Sequence, residues 1–240
     1  VGVSKYLPSY AGFLVEQEIK NLTPILKNPK KPVTLIIGGA KIDTKIGLIK
    51  GFLDKADYII IGGALANTFL AAQGYDIGKS LYEHNKIETA REILMLAEKK
   101  KKKIILPQDA ILADIVTEYA QTVDLPLEDI EGRMKILDIG SKTRKHFIEI
   151  IKKSRTVIWN GPLGLSEFTP FSSGTLAIAT AMSKLKGKVK TYIGGGDTID
   201  AIQRLGISRK KFTFVSTGGG AMLEFLEGKK LPGIEVLMKK

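Results

Sequence analysis

The chain has no cysteine, only two histidines and a single tryptophan among its 240 residues. Without cysteine there is no disulfide framework and no thiolate metal site, a composition that fits a reducing cytosol. His84 and His146 each stand alone in a helical pattern, so neither pairs for metal or general-base work. No Cys–His or Ser–His constellation points to a covalent nucleophile. No apolar run is long enough to span a bilayer, and no secretory leader is visible. Methionine is missing at position 1, where Val1 stands, so the start reads as processed or cut from something longer. Internal repeats are absent. Negative charge is short: 25 Asp+Glu against 37 Lys+Arg leave a formal +12. Such a balance suits nucleic acid, a membrane surface or anionic substrates. The densest run, lysines 99–103, ends the helical pattern 83–98, where cations are favoured by the helix dipole. No aromatics interleave it to stack bases. It reads as a solvated helix end, and no nucleic-acid or membrane partner is expected.

What remains is a globular chain, 44% hydrophobic, long enough for one large core or two small ones. Short, nearly continuous apolar runs recur at 33–37, 58–61, 104–106, 156–159, 189–193 and 212–215. Runs of this kind suit strands covered on both faces. Helical patterns lie between them at 44–55, 64–73, 83–98, 143–152, 173–184, 198–205 and 221–226. The alternation predicts an α/β fold, a Rossmann-like three-layer domain with a parallel sheet of about six strands. Segment 113–137 is less regular and reads as short extra strands or a long connection. Residues 10–26 predict one amphipathic helix, with Leu14, Glu18, Leu22 and Leu26 spaced by four, and the linker 27–32 ends it.

Three glycine-rich loops follow predicted strands: Gly38-Gly39-Ala40-Lys41, Gly194-Gly195-Gly196-Asp197-Thr198 and Ser216-Thr217-Gly218-Gly219-Gly220. Each precedes a helical pattern. Glycine admits close backbone approach, and a helix N-terminus offers free N–H groups and partial positive charge. With right-handed crossovers all three lie at the carboxyl edge of the sheet, a site for a polyanion such as a nucleotide. Lys41 and Lys45, four apart, share a face if they stand in a first helical turn. There they oppose the helix dipole, which marks either a functional pair or two solvated cations. Asp197 caps a helix or holds Mg²⁺, which favours one carboxylate plus phosphate oxygens. Trp159 reads as core. Gly78-Lys79-Ser80 is not a P-loop, because position 73 is Gln and the preceding segment is helical. No G-x-G-x-x-G dinucleotide fingerprint occurs.

Five ordered segments together resemble phosphoglycerate kinase, in its C-terminal nucleotide-binding half. They are Gly38-Gly39-Ala40-Lys41 through Lys45-Ile46, Ile61-Gly62-Gly63 through Leu70, Trp159-Asn160-Gly161-Pro162-Leu163-Gly164, Gly195-Gly196-Asp197-Thr198, and Ser216 through Gly228. The resemblance implies a share in phosphoryl transfer between 1,3-bisphosphoglycerate and ADP, in glycolysis, with Mg²⁺ on Asp197. It implies that Lys41 and the Gly218, Gly219, Gly220 loop face the transferring group. Gly39, Ala40, Lys45, Asn160, Gly161, Pro162, Gly195, Gly196 and Thr198 would line the nucleotide phosphates. Gly62, Gly63 and Leu137 would lie by the adenine, and Glu167 would bond the ribose. Ser166, where the family has Phe, and Ile136, where it often has Gly, put base affinity in doubt. The family's N-terminal domain, with its basic phosphoglycerate patch and an arginine for the transfer site, has no counterpart here. Residues 1–30 then read as an interdomain-type helix and linker, and 31–240 as the nucleotide-binding α/β domain. The expected product is a monomer, little active alone, or a stand-alone ADP/ATP-binding module.

Overall fold

A computed structural model describes residues 2–238. Its frame is a six-stranded, wholly parallel sheet. In chain order the strands are β1 (Val33–Ile37), β2 (Tyr58–Ile61), β3 (Lys103–Ile105), β7 (Thr156–Asn160), β8 (Lys190–Gly194) and β9 (Phe214–Val215). In space they run β3-β2-β1-β7-β8-β9. The chain therefore builds outward from β1 in one direction, returns, and builds outward from β7 in the other. A second, antiparallel sheet β5-β4-β6 joins the two halves, from β4 (Asp109–Ala113), β5 (Val123–Pro126) and β6 (Lys135–Ile139). Of this sheet, β5 lies within the segment 113–137 that the sequence leaves irregular, β6 overlaps its end, and β4 largely precedes it.

Alternation along the strands makes the three layers. On β1, Val33, Leu35 and Ile37 enter one core cluster and Ile36 the other. On β7, Ile158 faces the first cluster, Val157 and Trp159 the second. The first layer is closed by α1 (Phe13–Lys27), α2 (Ile46–Phe52), α3 (Gly63–Ala72), α4 (Ile87–Lys99) and α8 (Gly220–Leu226). The second is closed by α5 (Ser141–Lys153), α6 (Ser173–Lys184) and α7 (Gly196–Arg204). A short α9 (Pro232–Met238) ends the described chain. Both faces of β1 and β7 are thus dry, as their continuous apolar sequences require. Polar exceptions are paired: Thr34 Oγ1 and Ser154 Oγ lie 2.7 Å apart, and Thr156 Oγ1 donates to the Lys30 carbonyl at 2.8 Å.

Two expectations need correction. Helix α2 starts at Ile46, so Lys41 lies in the loop and Lys45 is the N-cap residue; they do not share a helical turn. The loop is held open by tertiary bonds: the Ile42 N–H donates to the Glu83 carboxylate, and Asp43 pairs with Lys86 at 2.6 Å. The apolar face expected of α1 is also divided. Leu22 and Ile25 are in the core, whereas Phe13 and Leu14 are 86% and 60% exposed.

Candidate functional site

The two halves of the sheet separate between β1 and β7, which run side by side while their chain connections leave in opposite directions. In open parallel sheets, ligands bind outside the carboxyl ends of the strands at such a point. Here the loops after β1 and β7 touch through their backbones. The Gly38 N–H donates to the Asn160 carbonyl at 2.8 Å, and that of Gly39 to Pro162 at 2.9 Å. A Cβ on Gly38 would stand 2.1 Å from the Pro162 oxygen, and one on Gly161 would stand 2.3 Å from Gly38. No side chain fits at either position. The loop after β2 joins them, where the Gly63 N–H donates to Leu163 at 3.0 Å. Gly63 combines a φ of +63° with the first turn of α3.

Above this junction lies a cavity of about 260 Å³, lined by Gly39, Ala40, Lys41, Thr44, Lys45, Asn160, Gly161, Gly195, Asp197 and Thr198. Its chemistry is that of an anion site. Asn160 is 1% exposed. Its Oδ1 accepts from Lys45 Nζ, and because lysine only donates, this orients the amide. Asn160 Nδ2 is left buried with no partner among the described residues. It sits beside Gly195, where a Cβ would be 2.9 Å away. An orphaned buried donor costs about 1–3 kcal/mol, which an incoming acceptor would offset. Burial lowers the Lys45 pKa from its ordinary value, and the nearby Asp197 charge opposes that fall. Thr198 Oγ1 accepts from the Gly161 N–H at 2.7 Å, tying the β7 loop to α7. Its own hydroxyl proton remains available. Asp197, exposed in the first turn of α7, forms no hydrogen bond or ion pair among the described residues.

A larger cavity of about 650 Å³ adjoins the first and shares Gly39, Ala40 and Asp197 with it. Its walls include Gly63, Leu137, Pro162 and Glu167. Ile136, Val116, Tyr82, Leu81 and Lys79 also line it. A small polar end and a larger apolar end form one crevice, the shape suited to a phosphorylated ligand with a flat apolar group.

Not every expected residue reaches the crevice. Gly62 turns toward Leu163, 2.6 Å from where a Cβ would be, and Gly196 opens α7; neither lines a cavity wall. Ser166 is buried and its Oγ has no partner among the described residues, so it does not line the larger cavity as the sequence suggests. Gly218, Gly219 and Gly220 lie outside both cavities. Strand β9 is two strands from β7, about 10 Å at ordinary spacing. Their loop is held from behind. Glu18 of α1 accepts from Ser216 Oγ at 2.7 Å, from the Thr217 N–H at 2.7 Å and from Thr217 Oγ1 at 3.2 Å. Sequence reasoning missed Glu18, Glu83 and the side chains of the 79–82 segment as contributors. Gly78-Lys79-Ser80 gave a phosphate-motif signal of the wrong kind: Lys79 reaches the crevice without a P-loop around it.

As a metal centre the polar end of the crevice offers one carboxylate, Asp197, and no group of three or more His, Cys, Asp or Glu gathers among the described residues. That does not fit a free-standing site. It does fit Mg²⁺ brought largely by phosphate oxygens and water, with Asp197 as the protein ligand.

Comparison with known proteins places the chain. The family model for phosphoglycerate kinase matches residues 1–229. Phosphoglycerate kinase of Finegoldia magna is 48% identical over 237 residues, covering 99% of this chain and 59% of the relative. That of Thermus thermophilus is 45% identical over 237 residues, covering 99% of this chain and 60% of the relative. The structure of phosphoglycerate kinase from Coxiella burnetii superposes with a TM-score of 0.92 at 40% identity, covering 98% of this chain and 60% of that one. The enzyme from Pyrococcus horikoshii gives 0.86 at 31% identity, covering 99% and 59%. The chain thus spans about three fifths of the length of these relatives, and it belongs to the phosphoglycerate kinase family.

Proposed function

We propose that this chain is the nucleotide-binding part of a phosphoglycerate kinase, holding ADP to receive a phosphoryl group from 1,3-bisphosphoglycerate, or ATP to return one to 3-phosphoglycerate. The observation that carries the reading is the polar end of the crevice. A desolvated lysine, an unpartnered buried amide donor and a free carboxylate converge there on the switch point of the sheet. Lys45, Asn160 Nδ2, Thr198 and the backbone of the Gly39 and Gly195 loops would bind the phosphates. Leu137, Gly63, Ile136 and Val116 would take the base, and Glu167 the ribose. Exposed Lys41 stands where a transferring group would emerge. Mg²⁺, when bound at Asp197, would neutralise phosphate charge. Such chemistry needs positioning and charge stabilisation and no protein nucleophile.

The acceptor substrate and its cations belong in this reading to the remaining two fifths of a relative's length. The amino-terminal side chains Val3, Leu7, Tyr10, Phe13 and Leu14, all at least 60% exposed, offer an apolar surface for it. Titration calorimetry with MgADP tests the proposal on the wild type and Asp197→Ala. The wild type should bind at sub-millimolar to millimolar concentration, and the variant should lose most of the Mg²⁺ dependence. Absence of binding to the wild type would remove the nucleotide reading. An unchanged Mg²⁺ dependence in the variant would remove only the metal assignment. A stand-alone binding module gives the same titration but gains no turnover from a complementary domain.

A further inference from the structure

The amino edge of the sheet, opposite the crevice, gathers cations that the sequence scatters over 160 residues. A cavity of about 560 Å³ opens there, lined by Lys30, Lys31, Arg155, Lys188 and Lys190 with Thr213. No carboxylate lines it. A neighbouring cavity of about 630 Å³ shares Lys30 and Lys31 and adds Lys27 and Lys55. Its one acid, Asp54, is already paired with Lys100 at 2.5 Å. None of the five cations in the first cavity forms an ion pair among the described residues.

The arrangement is fixed by topology. The cations stand just before β1 and β7 and at the start of β8, three adjacent strands. Their backbones are stitched together: the Arg155 N–H donates to the Pro32 carbonyl at 2.8 Å, and the Lys190 N–H to the Arg155 carbonyl at 2.9 Å. The backbones that carry these side chains are therefore held at strand spacing, about 5 Å apart. Like charges held together raise one another's free energy, and an anion with several charges relieves this. The two cavities share a wall, so an extended ligand can occupy both. Neither is lined by an aromatic side chain on which a base could stack.

We propose that this edge binds a linear polyphosphate chain, through its repeated phosphate charge and with no base recognition. The site is separate from the nucleotide crevice. The test uses the full chain and a medium-length inorganic polyphosphate, titrated at several salt concentrations. Binding is expected at low salt, with log K falling linearly against log salt. Combined Lys31→Ser, Arg155→Ser, Lys188→Ser and Lys190→Ser substitutions should weaken it at least tenfold. They should flatten the salt slope by about 3, the value for four lost contacts to a single-chain polyanion. A control removing Lys20, Lys50, Lys145 and Lys230 loses the same charge elsewhere and should keep most of the affinity. MgADP titration of the four-serine variant should match the wild type, which shows an intact fold whatever the outcome at the edge. Equal losses in both variants would overturn the proposal in favour of diffuse net charge. Absence of binding at low salt would overturn it outright. Tighter binding of a single-stranded oligonucleotide of equal charge would overturn it in favour of a nucleic acid.

Discussion

Lys45 carries its charge where burial penalises it, donating to the Asn160 side-chain oxygen. Its folded pKa lies below that of the unfolded chain, so the unfolded state holds this proton more tightly. The cost to folding is present at neutral pH and fades as pH rises toward the ordinary lysine range. Lys45→Met should therefore leave the ligand-free melting temperature equal to or above the wild type, while weakening MgADP binding at least tenfold. A clear drop in melting temperature would show that the ammonium group is structural instead. Asp138 has the opposite shift. Burial pushes its carboxyl up to about 7, against the Gly174 and Ile139 N–H donors and the Arg144 charge, which favour ionisation. Between about pH 4 and 7 the folded state then binds more protons than the unfolded one, so stability falls as pH rises through that window. In thermal melts, Asp138→Asn should remove this slope. A wild-type-to-variant difference that stays flat from pH 4 to 8 would show Asp138 ionised throughout.

At the scale of elements, the ties between helices and loops decide which glycine loops are rigid. The β1 and β7 loops are joined backbone to backbone, whereas the β9 loop, beyond the Ser216 N–H bond to the Ile193 carbonyl and its own turn, is tied to the rest by one carboxylate from α1. Glu18→Ala should raise amide hydrogen exchange at Thr217 and Gly218 by about tenfold, the order of ~1–2 kcal/mol for charge-assisted bonds. Exchange in β1 and β7 should not change. Unaltered exchange at Thr217 would mean that Ser216 and the turn hold the loop without α1. These ties also explain what could be read from the chain. The central parallel strands were legible because burial on both faces writes itself as uninterrupted apolar runs, and the half-buried edge strands β3 and β9 from short apolar runs beside helical patterns. The antiparallel sheet was legible only in part, as the alternative of short extra strands within 113–137, and neither its pairing nor β4 was read. Val123-Asp124-Leu125-Pro126 is half exposed, and Lys135–Ile139 places Asp138 among apolar residues. Glycine and lysine positions around the polar cavity were legible from loop motifs. Glu18 and Glu83 were not, because a carboxylate that caps a distant loop has no local pattern.

For the whole molecule, phosphoryl transfer needs charge on both sides of the moving group. In the reading proposed above, the crevice would supply only one side. The chain alone should therefore turn over roughly 10³–10⁵ more slowly than a full-length relative, by analogy with a missing arginine at a phosphoryl-transfer site. Mixing it with the two fifths of the Thermus thermophilus relative that it does not cover should restore part of the rate through the exposed surface around Phe13 and Leu14. In that mixture Lys41→Ala should depress kcat far more than ADP affinity. Steady-state assays with and without the complement decide this, and near-normal turnover by the chain alone would overturn it.

The contact of Gly38 with Gly161 has a consequence for how this fold can change over time. A side chain at either position collides with the other loop, so neither can vary first, and the backbone junction beneath the polar end of the crevice is closed to substitution at both positions. The larger cavity is built differently, with side chains from separate elements, among them Tyr82, Val116, Ile136 and Leu137. Variation there is uncoupled from the backbone junction. The two ends of one crevice should then evolve at unequal rates, phosphate recognition frozen and base preference free to drift. A substitution library at positions 82, 116 and 136 would yield folded variants with altered nucleoside preference, and one at positions 38 and 161 would return almost only glycine.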